Sequence, residues 1–489
     1  MDAPVSATRS MARGALAMMV SQGVTWSATL VLTLYMPRAL GAAGYGRLQF
    51  VLSLISIFAL FIELGATTLI TREVARDRSR APAYLIHALL LQAVTALAAY
   101  ACLIGAVLLL RRPPEVVQLA WVLGVGMILF AATAFLNSFL RGLEQVHYQA
   151  WGSVLEKVLE AAIILALLSA GGGLIPIAWA MVGVGVIHLA WTAYWVWRLV
   201  HPRWSAPRAE FLKEMVRESL PFFLFALFAQ IYDKVDVAML AVMASDTAVG
   251  WYSAAYRLFE ALFFIPHIFS TVAFPVLSRL WKNNPESYQE AVRRSFRLLC
   301  AAAAGVCVPA AVLAGPLVEF LYSESEFSGT APTLRILAAG LACMYVNTLF
   351  VMVLQSADRQ AAWAKAGAVA ALLNPALNYC LIPGFGHLGA AGATVVTEFF
   401  LAGAALRACP SGLFGRSEVM AAARALAAAA ILAAGLWLGL RWGVIPAVLI
   451  GLPLFGVSAL RLGLVTVADA AAFQIKPRKG RGWRSWARW

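Results

Sequence analysis

The chain has 489 residues, 62% of them hydrophobic and 13% charged, with a formal net charge of +14. A soluble globular chain is about half apolar and about a quarter charged, so this composition excludes a soluble enzyme or a soluble binding module. The positive charge does not describe a nucleic-acid surface either, because it sits in short connections between apolar segments.

A helix needs about 20 mostly apolar residues to cross the hydrocarbon core, and backbone groups in lipid must bond internally. Fourteen stretches qualify as crossings: 14–36, 48–70, 83–110, 116–140, 154–170, 175–200 and 219–242 in the first part of the chain. The remainder are 253–280, 298–321, 333–355, 364–382, 388–406, 419–440 and 445–465, the fifth and eleventh of the fourteen being short. The predicted fold class is an all-α polytopic membrane protein.

With the N-terminus in the cytoplasm, 30 of the 38 Lys and Arg residues fall in cytoplasmic segments, five lie on the other side and three inside crossings. The cytoplasmic set includes Arg76, Arg208 and Lys282, with Arg141 and Lys157 assigned to the turn between the fourth and fifth crossings. This bias is a positive-inside signal, which places both termini in the cytoplasm. The first apolar run is too long for a cleavable signal peptide and is preceded by Arg9 and Arg13, so the first crossing is expected to be retained. In the tail, 467–489, Lys and Arg alternate with Trp483, Trp486 and Trp489, a pattern that suits anionic lipid headgroups. The six cysteines lie in or beside apolar helices with no C-x-x-C pair, so no metal, disulfide framework or cofactor is expected.

The chain also matches itself. A shift of 204 residues lays Gly46 on Gly250, Ser53 on Arg257, Ser56 on Glu260 and Glu63 on His267. A shift of 214 lays Leu140-Arg141-Gly142-Leu143-Glu144 on Leu354-Gln355-Ser356-Ala357-Asp358, and Glu160 on Asn374. Six crossings separate the copies, so both run the same way through the membrane. The expected plan is two six-helix lobes, 1–215 and 216–410, related by a parallel repeat, with two appended helices in 411–466. A repeat of this kind is a transporter plan with the site between the halves.

Ionisable groups in hydrocarbon are costly and normally face protein or water. In the eighth crossing Ser253, Arg257, Glu260, His267 and Ser270 share one helical face, and the second repeats this with Gln49, Ser53, Ser56, Glu63 and Thr67. The first carries Gln22, Thr25, Thr29 and Thr33, and the seventh carries Gln230, Asp233, Lys234 and Asp236. Four such faces, converging, would line an aqueous cavity. Each residue also has a structural reading. Arg257 and Glu260 can neutralise one another, and Asp233 and Lys234 can bridge to other helices. Asp233 and Asp236 share a side, where one can take up a proton. Arg335 can snorkel, while Asn374, Asn378 and Glu398 can serve backbone broken near Pro375 and Pro383. His87, His188 and His267 are isolated in sequence.

Three segments resemble one known family. Pro37-Arg-Ala-Leu-Gly-Ala-Ala-Gly-Tyr-Gly46 is similar to its P-x-x-L-G-x-x-x-Y-G pattern, and Val249-Gly-Trp-Tyr-Ser-Ala-Ala-Tyr-Arg-Leu258 to its V-G-x-Y-x-A-A-x-R motif. The run from Asn374 to Thr394 resembles N-x-x-x-N-x-x-L-I-P-x-x-G-x-x-G-A-A-x-A-T. The family is the polysaccharide transporter branch of the MOP superfamily, which includes O-antigen flippases and is related to MATE exporters and lipid II flippases. The resemblance implies a two-lobed bundle in the bacterial inner membrane, working by alternating access. It also implies an undecaprenyl-pyrophosphate-linked oligosaccharide as cargo, a coupling ion (H+ or Na+), and polysaccharide polymerase and chain-length proteins as partners.

Lys234 and Arg257 stand against Asp233, Asp236, Glu63, Glu260 and Glu398 in mid-membrane, a balance that is not plainly positive. This keeps open an ion-coupled antiporter of small cationic compounds. A membrane polymerase or transferase would usually need a large external loop bearing acid, base or metal-binding groups, and the external connections here are short, so no enzyme is expected. For a pyrophosphate cargo, Arg257 is the best-placed fixed cation, Glu260 can hold it in the empty cavity, and Lys234 is the natural second contact.

Overall fold

The computed structural model describes residues 3–201, 208–322 and 324–466, so the expected lipid-binding tail lies outside the described residues. Among them there is no strand. In chain order the helices are α1 (Ala3–Glu63), α2 (Ala66–Arg76), α3 (Ala81–Leu109), α4 (Pro114–Gly142), α5 (Val146–Ser169), α6 (Leu174–Val200), α7 (Ala209–Met243) and α8 (Asp246–Leu262). There follow α9 (Phe264–Asn283), α10 (Pro285–Val312), α11 (Ala314–Leu321), α12 (Glu324–Phe327), α13 (Thr330–Ser356), α14 (Gln360–Phe385), α15 (His387–Ala408), α16 (Arg416–Gly439) and α17 (Val444–Arg461).

Each expected crossing has a helix at its place, but several boundaries differ for local reasons. The first two expected crossings form one element, α1, bent at Gly41 where φ is 67° and ψ is 170°. Glycine adopts that conformation without a Cβ penalty, and Pro37, four residues earlier, cannot donate a helical hydrogen bond. The second expected crossing ends early at Leu64 and Gly65, both at positive φ, and resumes as α2. A Cβ on Gly65 would lie 2.6 Å from the Ser219 carbonyl of α7, so that turn is also a close helix contact. The eighth expected crossing is interrupted at Phe263 and the ninth at Leu313, giving α8/α9 and α10/α11. The fifth and eleventh, short in sequence, become helices of 24 and 26 residues.

Eleven helical stretches among the described residues are long and apolar enough to cross a bilayer. The difference from fourteen has a physical source. Bent α1 makes one stretch, while α5 and α7 carry charges (Glu156, Lys157 and Glu160; Asp233, Lys234 and Asp236) that interrupt their apolar runs.

The chain divides into two compact units. One comprises Met1–Leu258, Leu317–Thr333 and Gly367–Thr397; the other comprises Phe259–Pro316, Leu334–Ala366 and Glu398–Trp489. In the first, Leu69 and Ile70 of α2, Leu85 of α3, Phe139 of α4, Val196 of α6 and Met215 of α7 make a packed core. A second core joins Ala42 and Tyr45 of α1 to Ala254 of α8, Val318 of α11 and Phe327 of α12. In the second unit α16 and α17 form a hairpin that packs on α10 through Leu432, Leu436 and Ala447. Polar Ser138, Thr192, Asn378 and Thr397 are fully buried while Leu97, Trp197, Phe225 and Leu426 are exposed. Apolar outside and polar inside is the distribution a bilayer solvent selects.

The repeat appears in local backbone. Helix α4 ends with Glu144 at φ 62° and α13 ends with Asp358 at φ 58°, the pair aligned by the shift of 214. At both ends the same bonds close the turn: Gln145 N–H to Leu140 O at 2.7 Å, and Arg359 N–H to Leu354 O at 2.7 Å. These bonds satisfy carbonyls that the last helical turn would leave orphaned.

Candidate functional site: a cavity within the first unit

One face from each of α1, α4, α5 and α6 meets around a cavity of about 750 Å³. Helical spacing selects the faces: Ser56 and Glu63 from α1, and Thr133, Asn137 and Arg141 from α4. Gln149, Ser153, Glu156 and Glu160 come from α5, and Met181, Gly185 and His188 from α6. Gln230 of α7 and Arg257 of α8 complete the polar lining, while Leu52, Ile55, Leu123, Met127 and Phe130 supply apolar wall.

Small residues and side-chain bonds set these helices. Ser21 Oγ of α1 donates to Ala150 O of α5 at 3.0 Å, and Trp191 Nε1 of α6 donates to Tyr148 O at 3.0 Å. Gly152 lets α6 approach α5, since a Cβ there would lie 2.9 Å from the Trp191 ring and 3.1 Å from His188 Nε2.

The charges on the α5–α6 wall are paired. His188 Nδ1 lies 2.9 Å from Glu156 Oε2, and Lys157 Nζ lies 2.5 Å from Glu160 Oε2 and 4.0 Å from Glu156. A carboxylate removed from water without a partner costs several kcal/mol, so the pairing is what makes this wall tenable. Glu63 accepts from Thr67 Oγ1 at 3.3 Å, with Arg141 acting on it electrostatically. Among the described residues that line the cavity, three buried atoms have no hydrogen-bond partner: Asn137 Oδ1, Gln149 Oε1 and His188 Nε2.

Of the residues expected from sequence, Glu63, Gln230 and Arg257 come together on this cavity, and Ser56 with them. Ser53 is buried beside it, its hydroxyl donating to Phe50 O at 2.7 Å. Asp233, Lys234 and Asp236 lie outside the cavity lining and form a separate cluster. Lys234 Nζ is 2.9 Å from Asp233 Oδ2 and lies over the Tyr256 ring. Tyr256 OH donates to Asp233 Oδ1 at 3.1 Å. Buried Asp236 accepts from the Tyr252 hydroxyl and from Val237 N–H, and Tyr252 reaches Thr394 Oγ1 at 3.3 Å. Asn378 Nδ2 donates to Asn374 Oδ1 at 2.8 Å, both residues being buried in α14. Glu260, Arg335 and Glu398 belong to the second unit, where Glu398 accepts from Asn347 Nδ2 at 2.8 Å and Arg335 packs over Gly315.

Two sequence expectations need correction. Arg141 and Lys157 are helical residues of α4 and α5 that line the cavity, because α5 begins at Val146 and the connection is only three residues long. His188 is not isolated, since it pairs with Glu156. A signal existed in the i, i+4, i+7, i+11 run Gln149, Ser153, Glu156, Glu160, hidden by the late start assigned to that helix. His87 binds Ala83 O at 2.8 Å and accepts from Arg208 N–H at 3.1 Å, a tie between α3 and the start of α7.

The family described as polysaccharide biosynthesis protein matches residues 11–281, and the MatE family matches residues 221–380. "Probable low-salt glycan biosynthesis flippase Agl15" of Haloferax volcanii is 27% identical over 172 residues, 34% of this chain and 35% of that protein. "Probable flippase AglR" of the same organism is 28% identical over 187 residues, 37% of this chain and 39% of that one. The chain thus spans little more than a third of the length of these two relatives. In structure it is similar to the lipid II flippase MurJ in an inward closed conformation, with a TM-score of 0.67 at 12% identity over 91% of this chain and 97% of that one. An inward-facing multidrug resistance MATE transporter of the MOP superfamily gives 0.63 at 17% identity over 83% and 95%.

Proposed function

Because the chain belongs to the polysaccharide biosynthesis protein family of the MOP superfamily, we propose that it is a flippase for a lipid-linked oligosaccharide. It carries an undecaprenyl-pyrophosphate-linked glycan from the inner to the outer leaflet of a bacterial inner membrane by alternating access, with both termini cytoplasmic. It is a transporter and catalyses no reaction. The two lobes, 1–215 and 216–410, are the moving bodies, and the helices of 411–466 are an appendage.

The observation that carries this reading is the cavity, where paired charges and amides face apolar wall across about 750 Å³. A glycan bound to a lipid needs both kinds of surface at once. Arg257 and Arg141 line it together and serve the pyrophosphate, since guanidinium keeps its charge and matches phosphate oxygens. Lys234, the second contact suggested by the sequence, is paired with Asp233. Asp233 and Asp236 are the candidate seat of a coupling ion, H+ or Na+. The polymerase and chain-length proteins of the same pathway are the expected partners.

A second reading has one observation in its favour. Glu63, Glu156 and Glu160 face the same cavity, and the MatE family also matches, as an exporter of small cationic compounds would require. The two readings separate in cells that carry the gene. Deletion should leave the lipid-linked glycan on the cytoplasmic leaflet and stop surface polysaccharide, and the intact gene should restore it. Normal export after deletion, with new sensitivity to cationic drugs, would favour the antiporter.

A further inference from the structure

We propose that, given the flippase reading, the α4–α5–α6 wall of this cavity seats an uncharged sugar residue of the cargo, bearing hydroxyl or acetamido groups. The wall's own chemistry points there. Each carboxylate here already has a partner, Glu156 in His188 and Glu160 in Lys157, and the wall carries no excess of fixed cation. A phosphate would require a surplus of cation here, and a free cation a carboxylate without a partner.

What the wall leaves unmet is neutral hydrogen-bonding capacity. Asn137 is 6% exposed and its Oδ1 has no partner, and Gln149 Oε1 is likewise buried and unpartnered. Both residues line the cavity, with Ser153 one helical turn beyond Gln149. An unmet buried acceptor costs about 1–3 kcal/mol, which a ligand O–H or N–H recovers on binding. Side-chain amides, a hydroxyl and already-paired carboxylates beside the Phe130 ring form a surface for a ring that has polar edges and apolar faces. Arg257 of α8 and Arg141, one turn beyond Asn137 on α4, are the groups assigned to the pyrophosphate. The division of labour is then that the arginines hold what all such lipids share, and Asn137 and Gln149 read what differs between glycans.

The test uses Ser153→Cys in the full chain with Cys102→Ala and Cys380→Ala, the exposed thiols. Maleimide labelling is followed in membranes from cells that make the glycan and from cells lacking the first sugar-phosphate transferase, which still hold its undecaprenyl phosphate acceptor. The expected result is about tenfold slower labelling only where the glycan is made, as ligand in excess over its dissociation constant requires. Equal rates in the two membranes, or equal protection in both, would overturn the assignment. Adding Asn137→Ala and Gln149→Ala should return the labelling rate to the unprotected value at unchanged protein level; persistent protection would count against these two residues as readers. Export in the deletion strain is scored separately, so failure of the flippase reading shows there and failure of the sugar seat shows only in the labelling.

Discussion

Gly46 of α1 and Gly250 of α8 meet backbone to backbone. A Cβ on Gly46 would fall on the Asp246 carbonyl and lie 2.9 Å from Gly250 N, and a Cβ on Gly250 would fall on the Ala42 carbonyl. The contact is reciprocal, each glycine resting on the residue four positions before the other. The same shift of 204 that aligns the two glycines also aligns Ala42 with Asp246. Corresponding positions of the repeat thus pack on one another, the two glycines letting the membrane helices approach closely.

Gly46→Leu and Gly250→Leu should each destabilise the protein by about 1–3 kcal/mol, the range for forcing extra methylenes into a packed contact. Both should lower the thermal unfolding midpoint in detergent and reduce glycan export. Gly23→Leu, at a position with nothing within 4 Å of a Cβ, is the matched control and should behave as the parent. Equal midpoints for all three would show that the crossing is not needed.

Beside this crossing Asp246 is held by two arginines, Arg47 Nε at 3.1 Å and the Arg112 guanidinium, both on the first unit. Asp246 and Arg112 are largely buried, so Asp246→Ala leaves positive charge uncompensated and should cost about 3 kcal/mol. Glu115 also pairs with Arg47 but is 44% exposed, and Glu115→Ala should cost no more than about 1 kcal/mol. Denaturation midpoints of the two variants, measured in one detergent, give the comparison; a larger effect at Glu115 would contradict it.

Arg257→Ala should stop export and leave the lipid-linked precursor on the cytoplasmic leaflet, with the protein still inserted. Arg257→Lys should recover part of the activity if charge alone is required, and little if two-pronged phosphate geometry is. Complementation that exports normally with Arg257→Ala would move the headgroup contact elsewhere. Disappearance of the protein from the membrane would assign Arg257 a structural role.

Asp236→Asn removes the charge and can still accept from Val237 N–H, while its amide N–H has to donate to the Tyr252 hydroxyl in place of accepting from it. Transport driven by an ion gradient in vesicles should lose its dependence on that gradient, with substrate binding retained. Gradient-driven transport that survives the change would remove Asp236 from coupling.

The charge bias predicts that Arg76, Arg208 and Lys282 are cytoplasmic while Asp246 and Ser325 face outward. Single cysteines at 208, 282 and 325, labelled from outside intact cells, should react at 325 only. Labelling at 208 or 282 without 325 would invert the topology.

Membrane class, the position of each helix and the repeat were determined by the sequence alone, because hydrophobic length and turn chemistry are properties of contiguous residues. The paired left-handed turns at Glu144 and Asp358 belong to this local information, and so does the alignment of Gly46 with Gly250. That these two glycines touch is not contained in the alignment. Likewise, no spacing along the chain reveals that His188 closes on Glu156, or that Lys234 pairs with Asp233 while Arg141 and Arg257 both line the cavity. Each of those outcomes depends on which helical faces meet. In this chain close approach at glycines and the pairing of buried polar groups such as His188 and Glu156 decided that, and both act between residues far apart in sequence.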